Sequence, residues 1–211
     1  MTSFDWQSRD PGGEALVFVG PVMTAPLLAR EMQALGLGAA PQIAVDGGVD
    51  YALAPILWAG DGDSGAGRKA DVVKDNQDET DLRFCLNGVR GWRWRQLHLF
   101  GFLGGRRDHE LANFGEVQAE LLERKNFESA VFYDDAREVA LRFFSAGTNA
   151  VNLAGSFSVL VLAPATISVS GDCEYQVQGA QLAPLSGRGV SNRAHGTVQV
   201  TGDAPFMVVR G

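Results

Sequence analysis

Cysteine is nearly absent: Cys85 and Cys173 are the only two in 211 residues, and they stand in unlike contexts. A disulfide framework is therefore not expected, and the pattern fits a reducing compartment. Histidine is almost as scarce, and neither His98 nor His195 has ligand spacing for zinc. No lysine follows Lys125, and no basic stripe relieves a net charge of −7. Nucleic acid is not expected as a main partner, because its phosphates need clustered Lys and Arg. Long apolar runs are missing too. The longest, Val159 to Ala165, contains Pro164 and falls far short of the ~20 residues a membrane helix needs. The opening MTSFDWQSRDPGGE carries neither the basic nor the apolar segment of a secretory signal. A soluble cytoplasmic protein is the expectation.

What is present is a core. Apolar residues make up 45% of the chain, enough for one large or two small domains. Residues 1–13 read as a loose polar leader. Short apolar runs then alternate with helical patterns. ALVFV at 15–19 reads as a buried strand, and Thr24 as the cap of a helix with Pro26 in its first turn and Gly36 after its end. Further strands are expected at 43–45, 56–59, 71–73, 97–100 and 130–133, with a short helix near Asp50–Leu53, one after Asp81, and one running to about Lys125. This alternation implies a parallel-sheet α/β/α domain over residues 1–136. Beyond Asp135 the texture changes to short β runs broken by Gly, Asn and Ser. A small all-β sandwich is expected over 137–211, with the boundary near Arg137.

One stretch organises the α/β part. From Asp61 to Asp81 seven residues are acidic: Asp61, Asp63, Asp71, Asp75, Asp78, Glu79 and Asp81. Such density repels itself, and hard oxygen ligands beside glycine suit Mg²⁺ and a phosphate. Aspartate is also a turn former, so two polar loops are the plain alternative. The placement favours chemistry. Nearly every strand ends in Gly and Asp, and the carboxyl ends of parallel strands lie on one edge, where ligands of open α/β sheets bind. Asp46, Asp61, Asp63, Asp75, Asp81 and Asp108 can therefore converge. Lys74 and Arg107 read as solvated or supporting charges, Thr80 and Asp108 as helix caps or ligands, and Trp92 and Trp94 as an exposed edge.

The ordered set DGG (46–48), GDGDS (60–64), DNQDETD (75–81), GGRRDH (104–109) and GVSN (189–192) resembles thiamine pyrophosphokinase, across nearly the whole chain and in the same α/β-then-sandwich order. The resemblance implies pyrophosphoryl transfer from ATP to the thiamine hydroxyl, with Mg²⁺, in a homodimer. It implies metal ligation by Asp61, Asp63 and Asp81, with Arg106 and Asp108 joining them as catalytic residues. Nucleotide contacts are implied for Asp46, Gly47, Gly48, Thr80, Gly104, Gly105, Arg106 and Asn113. Acceptor contacts are implied for Gln77, Asp78, Ser191 and Asn192. Two positions depart from the family pattern: Gly62 replaces a bulky apolar residue, and Arg193 follows GVSN. Two further readings stay open: the same transfer to another hydroxyalkyl heterocycle such as a pterin, and a non-catalytic ligand-binding dimer.

Overall fold

The computed structural model describes residues 4–64, 67–123, 127–134 and 139–211. The expected helix end at Lys125 and the boundary at 136/137 lie outside the described residues. The parallel strands are β1 (Ala15–Val19), β2 (Gln42–Val45), β3 (Pro55–Gly60), β4 (Val72–Val73), β5 (Gln96–Phe100) and β6 (Ser129–Tyr133). The helices are α1 (Ala25–Ala34), α2 (Asp81–Gly88) and α3 (Arg107–Glu123). Alternation along the strands sorts the faces. Val17, Val19, Phe100 and Val131 share a buried cluster with Leu28 and Met32 of α1. Leu16, Phe18, Leu97, Leu99 and Phe132 share another with Leu82 and Leu86 of α2 and Val117 and Leu121 of α3. One helix thus covers one face and two cover the other. The short helix expected at 50–53 is instead a 3₁₀ turn at Asp46–Asp50, directly at the end of β2.

The remaining strands are β7 (Val139–Phe144), β8 (Gly147–Leu160), β9 (Ala165–Cys173), β10 (Val177–Leu182), β11 (Asn192–Gly202) and β12 (Phe206–Arg210). All twelve form one mixed sheet in the order β10-β9-β11-β8-β12-β7-β6-β5-β1-β2-β3-β4. The ladder crosses from parallel to antiparallel at β6–β7, where Val131 faces Arg142. The antiparallel strands therefore extend the first sheet rather than starting a separate one. They build their own core by curling. Phe144 of β7 and Phe206 of β12 lie in one buried cluster with Ile167 of β9 and Leu182 of β10, which are several strands away in the order. β8 is one long strand that changes partner along its length: it pairs with β11 from Gly147 to Phe157 and with β12 from Phe157 to Leu160.

Two expectations about the periphery are overturned for the same reason. The segment 4–13 is not loose, and Trp92 and Trp94 are not exposed. Both tryptophans are buried, and Trp92 Nε1 donates to the Trp6 carbonyl at 3.2 Å. The Trp6 ring lies so close over Gly88 that a Cβ there would come within 2.3 Å of it. A sequence alternating Trp and Arg hides that the chain start supplies an aromatic lid.

His98 and Tyr133 form a buried pair on neighbouring strands, Nδ1 to Oη at 2.7 Å. Burial first, and then the Arg142 guanidinium, hold the His98 ring near a pKa of about 4 against an ordinary 6.5. The folded state thus binds fewer protons than the unfolded one between those values, so stability must fall as pH drops from 6.5 to about 4. The loss attributable to this ring is about 3 kcal/mol. Urea unfolding at pH 7 and pH 4 should show a drop of that order that is largely missing in His98→Asn; equal drops in both proteins would contradict it.

Candidate functional site

The strand order reverses between β1 and β5: the chain runs outward from β1 to β4 and returns to β5 on the other side. Ligand sites of open α/β sheets form at such a switch point, beyond the carboxyl ends of the strands. A cleft of about 630 Å³ lies there. Its walls come from Pro21 and Val22 after β1, Asp46 after β2, Asp61 after β3, Lys74 after β4 and Gly101, Phe102, Gly105 and Arg106 after β5. Gln77 to Leu82 close one side, and His109, Glu110 and Asn113 of α3 the other.

The carboxylates meet as their strand ends require. Ligand oxygens of Asp46, Asp61 and Asp63 all lie within 4.8 Å of one another. That approach depends on a missing side chain: a Cβ on Gly60 would stand 2.8 Å from the Asp46 Cα. Gly62 adopts φ +85°, a left-handed conformation in which glycine has no steric cost. A bulky residue there would be strained, which gives this departure a local reason. Asp46 itself sits at φ 49°, uncommon for a non-glycine residue and typical of functional turns. Its Oδ1 is buried with no hydrogen-bond partner. Asp61 accepts the Asp63 N–H at 3.2 Å, and Ser64 Oγ donates to Asp63 at 3.1 Å. The Asp61 carboxylate pressed against it raises the pKa of Asp63. Three converging anions with one orphaned buried oxygen fit a hard divalent cation. The trio differs from the expected one: Asp46, assigned to the nucleotide, joins Asp61 and Asp63.

Asp81 faces the same cleft from the first turn of α2 with another partner. Lys74 Nζ lies 3.2 Å from its Oδ1 and donates to the Glu79 carbonyl at 2.9 Å. Desolvation raises the Asp81 carboxyl, Lys74 pulls it down, and Asp46 and Asp61 push it up again. Lys74 is only 6% exposed. Of the two readings of it, solvated or supporting, burial excludes the first and the contacts to Asp81 and Glu79 fit the second; it is the main site residue that the sequence undervalued. The usable signal was its place, a strand end next to the acidic loop.

The other expected residues divide. Gln77, Asp78, Thr80, Gly105, Arg106 and Asn113 line the cleft. Thr80 also caps α2, accepting the Arg83 N–H at 3.0 Å. Asn113 Nδ2 donates to the Phe102 carbonyl at 3.3 Å and so braces the loop that carries Gly104 and Gly105. Arg106 is exposed and paired with Asp108, whose carboxyl it holds below the usual range. Asp108 lies in the first turn of α3 rather than before it. Gly47 and Gly48 form the turn behind Asp46, with Gly48 against the β1 carbonyl of Val19. Ser191 and Asn192 are elsewhere. They line an apolar groove of about 180 Å³ in the antiparallel region, where the Asn192 amide clamps the Tyr175 backbone at 3.0 and 2.7 Å.

No family model and no curated protein matches the chain. Solved structures do. Thiamine pyrophosphokinase from Bacillus subtilis aligns at TM-score 0.73 and 18% identity, over 94% of this chain and 99% of that one. The yeast enzyme aligns at 0.71 and 13%, over 95% and 87%. The Candida albicans enzyme aligns at 0.69 and 11%, over 93% and 88%. The fold is that of the thiamine pyrophosphokinases. The resemblance carried by DGG, GDGDS, DNQDETD, GGRRDH and GVSN thus holds at the level of the fold. No described helix is long and apolar enough to cross a membrane.

Lys74→Met leaves Asp81 beside Asp46 and Asp61 without its counter-ion. Removing one member of a buried pair costs about 3–5 kcal/mol. With 26% of the Asp81 side chain exposed, a loss of about 1–3 kcal/mol is expected in urea unfolding. The double variant Lys74→Met/Asp81→Asn should recover most of it, and an unchanged midpoint in the single variant would show the pair to be idle.

Proposed function

We infer that the chain is a transferase that moves a pyrophosphoryl group from ATP to the hydroxyl of thiamine, giving thiamine diphosphate and AMP. The observation that carries this reading is the convergence of Asp46, Asp61 and Asp63 within 4.8 Å, with Asp46 and Asp61 lining a cleft that a nucleoside triphosphate would fill and Asp63 at its rim. The fold shared with thiamine pyrophosphokinases supports it. Asp61 and Asp63, with Asp46 beside them, would hold Mg²⁺, and Asp81 completes the acidic set from the first turn of α2. Bound there, the ion supplies charge neutralisation and polarises the phosphoryl group under attack.

The chain's own residues do the rest by placement, since phosphoryl transfer asks little covalent chemistry of a protein. Gly105 lines the cleft and lets the backbone come close to the phosphates, while the Gly104 N–H is taken by Glu110 Oε2 at 3.3 Å. Arg106 offers a planar fork suited to phosphate oxygens, and its pairing with Asp108 orients it. Gln77 and Asp78, on the opposite wall, are placed to meet the acceptor. The groove of Ser191 and Asn192 is distinct from the cleft within one chain, which suggests that a second copy brings it there. The functional unit is then a twofold dimer with the acceptor held between one subunit's cleft and the other's groove. Arg193 beside that groove favours keeping a second acceptor in view: a cation close to a thiazolium is unfavourable, and an uncharged hydroxyalkyl heterocycle such as a pterin would avoid the clash.

An assay of AMP release from ATP and Mg²⁺ against hydroxylated heterocycles tests the reading. Thiamine should give AMP in step with thiamine diphosphate; AMP release only with a neutral acceptor would transfer the activity to that acceptor, and none with any would remove it. Asp63→Asn should lower turnover at least ~10²-fold, in line with about 2.7–4 kcal/mol for losing one electrostatic stabiliser. Its stability should hold or rise, because repulsion from Asp61 is relieved. Sedimentation at micromolar concentration should give a dimer, and a monomer would contradict the shared acceptor site.

A further inference from the structure

We propose that Lys74 is a phosphate-binding residue of the cleft and that Asp81 is the carboxylate that holds its ammonium in place. The inference rests on the reading of the cleft as a polyphosphate site and goes beyond it by assigning the buried cation. Lys69, Lys74 and Lys125 are the chain's only lysines among 18 basic residues, so most of the positive charge is supplied by arginine. The one lysine at the end of β4 is nearly sealed from solvent, at 6% exposure, yet lines the cleft. Its backbone is fixed as well: Lys74 N–H donates to the Gly60 carbonyl at 2.8 Å, the residue immediately before Asp61. The Lys74 backbone is thereby tied to the strand end that carries Asp61, while its ammonium lies beside Asp81.

An ammonium has three N–H donors. One goes to Glu79 O at 2.9 Å, and Asp81 Oδ1 stands 3.2 Å away as its ion-pair partner. The ammonium thus keeps N–H capacity for a ligand in the cleft. The demand for it is electrostatic. Asp46, Asp61, Asp78, Glu79, Asp81 and Glu110 all line the cleft, and a polyanion entering it needs positive charge from the protein as well as from a metal. Arg106 is 72% exposed and already paired with Asp108. A charge in the lower-dielectric interior acts more strongly than one in water, so Lys74 is the better placed of the two. A compact point charge also suits a position bounded by a carbonyl, a carboxylate and an incoming oxygen, where a guanidinium fork would not fit.

The test is a calorimetric titration of inorganic triphosphate with Mg²⁺ into four proteins: wild type, Lys74→Met, Asp81→Asn and the double variant. Lys74→Met should weaken binding about 10- to 100-fold, the range of one charged hydrogen bond. The same factor should separate the double variant from Asp81→Asn. If the double variant binds as Asp81→Asn does, Lys74 serves only to neutralise Asp81 and the proposal is overturned. A wild type that binds no triphosphate would instead remove the polyphosphate reading and this inference with it. Should the variants fail to fold, ¹⁵N-lysine spectra of the wild type decide: triphosphate should shift the Lys74 Nζ signal and leave Lys69 and Lys125 unmoved, and an unmoved Lys74 would overturn the proposal.

Discussion

Like charges brought together at one sheet edge are the constraint on which this molecule turns. Parallel strands deliver their carboxyl ends to a single edge, and here β2, β3 and the start of α2 deliver aspartates to it. Unrelieved, Asp46, Asp61, Asp63 and Asp81 would repel one another and weaken the fold. Two devices answer that. A buried ammonium, Lys74, sits 3.2 Å from Asp81. The other three carboxylates are left facing each other with an orphaned Asp46 oxygen, an arrangement whose repulsion a divalent cation would relieve. The positive φ of Asp46 and the bare Gly60 beneath it are the local distortions that bring the three together.

The surrounding architecture serves that edge. α1 on one face and α2 and α3 on the other fix the strands, and Asn113 reaches from α3 to steady the loop after β5. The antiparallel strands continue the same sheet through β6 and β7 and curl over their own apolar cluster. A continuous ladder gives the Ser191–Asn192 groove a fixed place relative to the cleft of its own chain, apart from it. A shared acceptor site between two copies is the arrangement that would bring groove and cleft together.

Much of this was legible in the residues, for identifiable reasons. Buried parallel strands leave unbroken apolar runs such as ALVFV at 15–19 and AVFY at 130–133, and glycine with aspartate marks where many of them stop, so the α/β order and the acidic edge could be read directly. The pairing of side chains could not. Lys74 looks like any polar residue in a charged stretch until β4 is seen to place its backbone on Gly60. Trp92 and Trp94 look exposed until the segment some eighty positions earlier is seen to cover them, the Trp6 carbonyl accepting from Trp92 and Gly13 lying on the Trp94 ring. The join between parallel and antiparallel strands was hidden as well, because a change of local texture says nothing about whether hydrogen bonds continue across it. Asp46 is among the aspartates expected to converge and receives a nucleotide contact only through the resemblance; the β2–β3 pairing sets its strand end beside that of Asp61.

The central claim is that the converging aspartates form a divalent-cation site that works with a polyphosphate. It is tested most directly by titrating Mn²⁺, as a paramagnetic stand-in for Mg²⁺, into wild type and Asp61→Asn, each with a non-hydrolysable ATP analogue, and counting free ion by electron paramagnetic resonance. The account predicts saturable binding in the wild type that weakens at least ~10-fold in Asp61→Asn, the scale of one lost charged ligand. Equal Mn²⁺ uptake by both proteins would contradict it and return GDGDS to the status of a polar turn.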